Sequence, residues 1–140
     1  TDELKKWQEK RFAEKNIKAE WEIKADRLFG DELLLEMLIR NIFENAFRAT
    51  DEGGKISTYV YENEKNTVFE ITDTGCGMEP EELEKIKEPF YRVDKSRSRK
   101  QGGTGLGVSL CQKIVEKHDG SMEYRSKKGV GTTVTVKIPL

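Results

Sequence analysis

Asn66-Thr67-Val68-Phe69-Glu70-Ile71-Thr72-Asp73, followed at once by Thr74-Gly75-Cys76-Gly77, decides how this chain is read. In a strand with a period of two, Phe69, Ile71 and Asp73 share one face. A carboxylate on an otherwise apolar face is costly unless it is paired or hydrogen-bonded. An adenine amino group would supply a donor, and Gly75 and Gly77 would let the backbone approach a planar ring. Asp-Thr-Gly is also ordinary turn chemistry, so a plain strand-ending turn stays open on these residues alone.

Upstream, residues 31–49 form the strongest helical pattern, opened by Gly30-Asp31. At about 100° per residue, Asn41, Asn45 and Arg48 fall on one stripe, with Leu34, Met37 and Leu38 on its earlier turns. The stripe changes from apolar to polar, as where a helix leaves a core to line a wet site. An Asn oxygen is a suitable hard ligand for Mg²⁺, and Arg48 could reach a phosphate oxygen. A merely solvated helix end is the alternative.

Downstream, Gly102-Gly103-Thr104-Gly105-Leu106-Gly107 leads into a second helical stripe, Leu106, Leu110, Cys111, Ile114 and Val115. N–H groups at a helix N-terminus, with the dipole behind them, form an anion site. No Gly-Lys-Ser/Thr follows, and a charged loop rather than a strand precedes, so neither a P-loop nor a dinucleotide fingerprint is present. A bare glycine-rich turn remains the other reading. Before it, Tyr91 to Lys100 holds five basic residues against one acidic. For Arg97, Arg99 and Lys100 a solvated loop suffices; Arg92, beside Phe90 and Tyr91, has the better claim to a fixed role.

The remaining pattern places helices over 2–15, 80–87 and 104–118. Strands are expected near 17–23, 55–62, 66–73, 121–126 and 132–139, and a mobile loop over 88–103. These imply an α+β, two-layer α/β sandwich, with about five strands in a mixed sheet and helices on one face. The 140 residues suit one core. Lys plus Arg total 25 against 26 for Asp plus Glu, so no global field favours nucleic acid or a membrane surface. Leu33-Leu34-Leu35, an apolar run that no other exceeds, is far too short to span a bilayer. Cys76 and Cys111 have no metal or disulfide spacing and read as reduced thiols in a cytosolic setting. The start at Thr1, without an initiator Met, is read as that of a fragment or processed chain.

Taken together, the motifs resemble the catalytic, ATP-binding domain of bacterial sensor histidine kinases, in the superfamily with type II topoisomerase, mismatch-repair and heat-shock chaperone ATPases. Asn41-Ile-Phe-Glu-Asn45-Ala is similar to the family's N box and Asp73-Thr-Gly75-Cys-Gly77 to its G1 box. Pro89-Phe90-Tyr91-Arg92 is similar to the F box and Gly103-Thr104-Gly105-Leu106-Gly107 to the G2 box. The resemblance runs from about residue 12 to Pro139 and implies the Bergerat (GHKL) fold with an ATP lid. It implies Mg²⁺ on Asn45 assisted by Asn41, phosphate on Arg48, and the adenine amino group on Asp73. Gly75 and Gly77 would form the hinge of the lid, Tyr91 would lie near adenine, and Arg92 near the γ-phosphate. The N–H groups of Gly105, Leu106 and Gly107 would cradle phosphates, with Gly103 and Thr104 in the same turn. Thr132 would back the adenine pocket through water. Ala49 departs from the Tyr or His of many members, so a stacking contact is absent there.

In hydrolysing relatives the position four before the metal-binding Asn is a Glu that activates water; here it is Asn41, which cannot act as a base. Glu44 lies one residue before Asn45, about 100° around the helix. Water attack should therefore be slow, leaving the γ-phosphate for a histidine. The single histidine, His118, precedes Asp119-Gly120 at a helix end and reads as structural. The resemblance thus implies a histidine kinase domain, residues 16–140, preceded by a helix or linker over 1–15 from a dimerisation domain. Its partners would be that dimerisation and phosphoacceptor domain and, downstream, a response regulator, with no nucleic acid and no membrane contact. It would be cytoplasmic, whether or not the parent protein is anchored in the inner membrane. A non-catalytic nucleotide-sensing module, or an ATPase of the same superfamily, is the alternative.

Overall fold

A computed structural model describes residues 2–85 and 107–140. Helix α1 (Asp2–Ala13) leads into strand β1 (Lys18–Lys24), and helix α2 (Glu32–Ala49) into the strands β2 (Lys55–Glu62) and β3 (Asn66–Asp73). Helix α3 (Pro80–Lys85) comes next; helix α4 (Gly107–Lys117) and strands β4 (Ser121–Lys127) and β5 (Gly131–Pro139) complete the chain. The sheet runs β1-β2-β3-β5-β4, with β1 parallel to β2 and every other pair antiparallel. It is the mixed five-stranded sheet expected from the sequence, with helices packed on one face.

The alternation sorts the two faces. Register sets Ile56 beside Asp73, Ile71 beside Val134 and Phe69 beside Val136, which places these residues on the helical side. On the other side Glu20, Glu22, Ser57, Tyr59, Glu70 and Thr72 line a shallow, solvated concavity. One buried face and one wet face is the usual economy of such sheets.

Helix α2 is the spine of the core. Asp31 caps it from extended backbone, accepting from the Leu34 N–H at 3.2 Å. At the other end Lys15 Nζ donates to the carbonyls of Phe47 (2.9 Å) and Thr50 (3.3 Å), placing a cation at the negative end of the helix dipole. Leu38 and Phe43 are fully buried and Ile42 and Phe47 nearly so, each burial stabilising by about 1.5–3 kcal/mol. Helix α4 packs along α2 with Cys111, Ile114 and Val115.

Helix α1 contributes to the same core. Phe12 meets Phe43 edge-on (5.9 Å between centroids) and stacks on Phe47 (6.2 Å), and Leu4 is buried beside them. Its helix stops at Ala13, two residues short of the expected end, because Asn16 turns the backbone left-handed (φ 54°). Gln8, which hydrophobic periodicity would leave on the surface, is 1% exposed and accepts the Trp21 indole N–H at 3.0 Å.

Candidate functional site

β3 delivers Asp73 to the helical face of the sheet beside the C-terminal end of α2. The side chain is 6% exposed, and burial pushes its carboxyl up to about 6, against the opposing pull of two backbone N–H donors. Both donors, from Gly75 (2.8 Å) and Thr132 (3.3 Å), bind the same oxygen, Oδ1. Among the described residues Oδ2 receives no hydrogen bond. A carboxylate with one oxygen pinned and one available matches a ligand amino group.

The glycines after Asp73 have a backbone reason to be glycine. A Cβ at Gly75 would lie 2.5 Å from the Ala49 carbonyl oxygen and 2.8 Å from Asp73 Oδ1. Gly77 (φ 67°) would put its Cβ onto the Lys127 carbonyl. The loop between them is stitched on both sides: Cys76 N–H donates to Ala49 O (3.1 Å), and Gly129 N–H donates to Cys76 O (2.7 Å). This loop therefore joins α2 to the β4–β5 hairpin, and it carries Asp73's first donor.

Thr132 belongs to a hydroxyl cluster that sequence reading did not find. Ser126 Oγ donates to Gly131 O (3.0 Å) and lies 2.7 Å from Thr132 Oγ1, while accepting the Met78 N–H (2.8 Å). A hydroxyl has one proton, so with that proton on Gly131 O the Thr132 hydroxyl is the donor to Ser126. The only signal in the sequence was that Ser126 alternates in phase with Tyr124 and Met122, on the buried side of β4.

On α2, Asn41 and Asn45 are both half-buried. The Asn41 amide donates to Met37 O at 2.9 Å, which leaves its carbonyl oxygen without a donor among the described residues. Asn45 makes no side-chain hydrogen bond to any described residue. Two such oxygens on one stripe fit a hard cation. No group of three His, Cys, Asp or Glu side chains able to hold a metal occurs among the described residues. A metal here would accordingly be completed by ligand oxygens and water. Arg48 Nη2 stands 3.8 Å from Glu44 Oε2, and its Nε is buried without a hydrogen-bond partner among the described residues. A guanidinium with an unsatisfied buried donor fits an anionic ligand.

Glu44 itself is engaged. Arg11 Nε and Nη2 approach its two oxygens at 2.8 and 3.3 Å. Both of its oxygens are thus taken up by Arg11, and Glu44 also lies about 100° around the helix from Asn45. His118 stands at the far end of α2, whose 18 residues span roughly 27 Å. Its Nε2 accepts the Asp31 N–H at 3.0 Å, and its Nδ1 lies 2.8 Å from Ile114 O, which requires the proton on Nδ1. Both ring nitrogens are occupied, so His118 locks the end of α4 to the cap of α2.

Of the residues expected at a site, Asp73, Gly75, Gly77 and Thr132 come together, and Asn41, Asn45 and Arg48 line the adjoining helix. Gly107 opens α4. Pro89, Phe90, Tyr91, Arg92, Arg97, Arg99, Lys100, Gly102, Gly103, Thr104, Gly105 and Leu106 lie outside the described residues, as does the loop expected over 88–103.

A family model described as histidine kinase-, DNA gyrase B- and HSP90-like ATPase matches residues 30–140. The sensor protein SrrB of Staphylococcus aureus (strain NCTC 8325 / PS 47) is 38% identical over 119 residues, covering 85% of this chain and 19% of its own. SrrB of strain MRSA252 is 40% identical over 105 residues, or 75% of this chain and 18% of its own. The chain thus spans about a fifth of the length of the curated relatives it matches. The nucleotide-free catalytic domain of the histidine kinase ThkA shares the fold with a TM-score of 0.84 at 26% identity, covering 99% of this chain and 90% of that one. The mycobacterial sensor histidine kinase MprB shares it at 0.83 and 24% identity, covering 97% and 92%. No helix among the described residues is long and apolar enough to cross a membrane. The chain belongs to the histidine kinase-, DNA gyrase B- and HSP90-like ATPase family and has the fold of a sensor histidine kinase catalytic domain.

Proposed function

We propose that this chain binds Mg·ATP beside α2 and directs the γ-phosphate to a histidine on a dimerisation and phosphoacceptor domain outside residues 1–140, within a two-component pathway. The observation that carries the reading is Asp73: buried, with Oδ1 pinned by two backbone donors and Oδ2 open to the adenine amino group. Asn45, with Asn41, would hold the metal, and Arg48 would bind phosphate. Bound Mg²⁺ would neutralise charge on the β- and γ-phosphates. Tyr91, Arg92 and the amides of Gly103 to Gly107 are assigned their adenine and phosphate roles by resemblance.

Transfer to a histidine is favoured over hydrolysis because neither Asn41 nor Glu44, the two candidates on α2, is placed to activate water. Asn41 cannot take a proton, and Glu44 is tied to Arg11. His118 is occupied at both nitrogens, so the acceptor histidine comes from elsewhere. The phosphoryl group would then pass to a response regulator, in a cytoplasmic setting. Labelled ATP mixed with the chain and a cognate acceptor domain should yield acid-labile phosphate on the acceptor. Label on His118, or rapid release of inorganic phosphate without acceptor, would overturn the assignment.

Asn45→Ala should weaken Mg·ATP about tenfold by calorimetry, about 1.4 kcal/mol, while ATP binding in EDTA stays the same. An unchanged metal dependence would remove Asn45 from the site.

A further inference from the structure

Glu44 is bound by two arginines with different duties. Arg11, on α1, grips both of its oxygens in a fork, at 2.8 Å to Oε1 and 3.3 Å to Oε2. Arg48, one turn further along α2, shares Oε2 at 3.8 Å, beyond a good hydrogen bond, and keeps a buried Nε without a partner among the described residues. Arg11 is further fixed from behind by Glu14 (2.6 Å) and lies over the Phe47 ring, 4.2 Å from its centroid. Glu44 is therefore mostly satisfied by α1, and Arg48 is held only loosely.

From this geometry we infer that Glu44 is a positioning residue for the phosphate-binding Arg48, and that Arg11 sets how tightly Glu44 holds it. The inference rests on the nucleotide reading of the site. With Arg11 in place, Glu44 restrains Arg48 from one side and leaves its remaining donors for phosphate. Without Arg11, the carboxylate turns to Arg48, its other guanidinium partner among the described residues, and draws it away. Without the carboxylate, Arg48 loses its competitor. The two substitutions therefore act in opposite directions on the same arginine, a signature that a general loss of packing cannot produce.

Calorimetry of Mg·ATP and of adenosine binding tests this on the whole chain. Glu44→Gln should tighten Mg·ATP by about two- to fivefold and Arg11→Gln should loosen it by a similar factor, the range of part-exposed ion pairs. In an Arg48→Ala background both effects should vanish, and adenosine, which lacks phosphate, should bind all variants alike. If Arg11→Gln does not fold, Arg11→Lys keeps the charge, loses the fork and should loosen Mg·ATP in the same sense. Same-sign effects, or effects that persist without Arg48, overturn the inference while leaving the nucleotide site standing. Native chain that binds neither ligand overturns the site reading, and this inference with it.

Discussion

Asp73→Asn should raise the stability of the nucleotide-free chain, weaken ATP and close or reverse its preference over GTP. In the native protein Oδ1 is taken by the Gly75 and Thr132 N–H groups, and an asparagine oxygen can accept the same two bonds. Its NH₂ must then occupy the place of Oδ2. Facing an adenine amino group it opposes donor to donor; facing the guanine carbonyl it makes a bond. The lost bond and the repulsion should cost about 1.5–3 kcal/mol, or roughly ten- to hundredfold in ATP affinity, with the gap to GTP closing or reversing. Competition binding of ATP and GTP to both variants reads this directly. Equal binding of the two by the native chain would reduce Asp73 to a turn residue.

The stability gain follows from the same burial. The folded chain keeps the Asp73 proton up to about pH 6, whereas the unfolded chain loses it near 3.8. Because the folded state binds the proton more tightly, the associated stability is fully present below 3.8 and is lost as pH rises through 6. Above pH 6 the desolvated carboxylate costs the folded chain on the order of 3 kcal/mol, which Asn does not incur. The melting temperature of Asp73→Asn at pH 7.5 should therefore exceed that of the native chain by about 3–10 °C, and the difference should shrink towards pH 4. Ligand binding should show the opposite trend. A proton on Oδ2 faces the adenine amino group, so native affinity for adenosine should fall about fivefold from pH 6 to pH 5. An affinity flat across that range would contradict a bond to adenine.

Gly77→Ala should destabilise the chain by roughly 2–5 kcal/mol, a left-handed residue's strain combined with overpacking. The backbone at Gly77 has φ 67°, and its Cβ would run into the Lys127 carbonyl, an atom of the sheet that cannot swing aside. The loop that carries Cys76 to both Ala49 and Gly129 would have to lift, taking with it the N–H that pins Asp73. Gly129 is the control: φ is 80°, with nothing within 4 Å of a Cβ, so Gly129→Ala should incur only about 1–2 kcal/mol of backbone strain. Urea denaturation should move the midpoint much further for Gly77→Ala than for Gly129→Ala, at similar slope. Similar losses for the two would mean that Gly77 is needed only for its dihedral.

Local rules made most of the elements legible from the chain itself. The strands expected at 55–62 and 66–73 coincide with β2 and β3, and the alternation of Phe69, Ile71 and Asp73 holds because side-chain direction in a strand is set by the backbone alone. The stripe of α2 and its Asp31 cap were equally local, as was Asp73 as a carboxylate on an apolar face. What depended on residues far apart could not be read that way. Arg11 meets Glu44 across 33 positions, Asp73 takes a donor from Thr132 across 59, and Asp31 meets His118 across 87. No periodicity encodes such pairings; they exist because the sheet order lays β5 against β3 and the helical layer lays α1 and α4 against α2. The sequence alone thus determined which groups were available for the site. The tertiary structure decided which oxygen of Asp73 is spent, why Gly75 and Gly77 tolerate no side chain, and which partner holds Glu44, since each depends on what the fold packs against that residue.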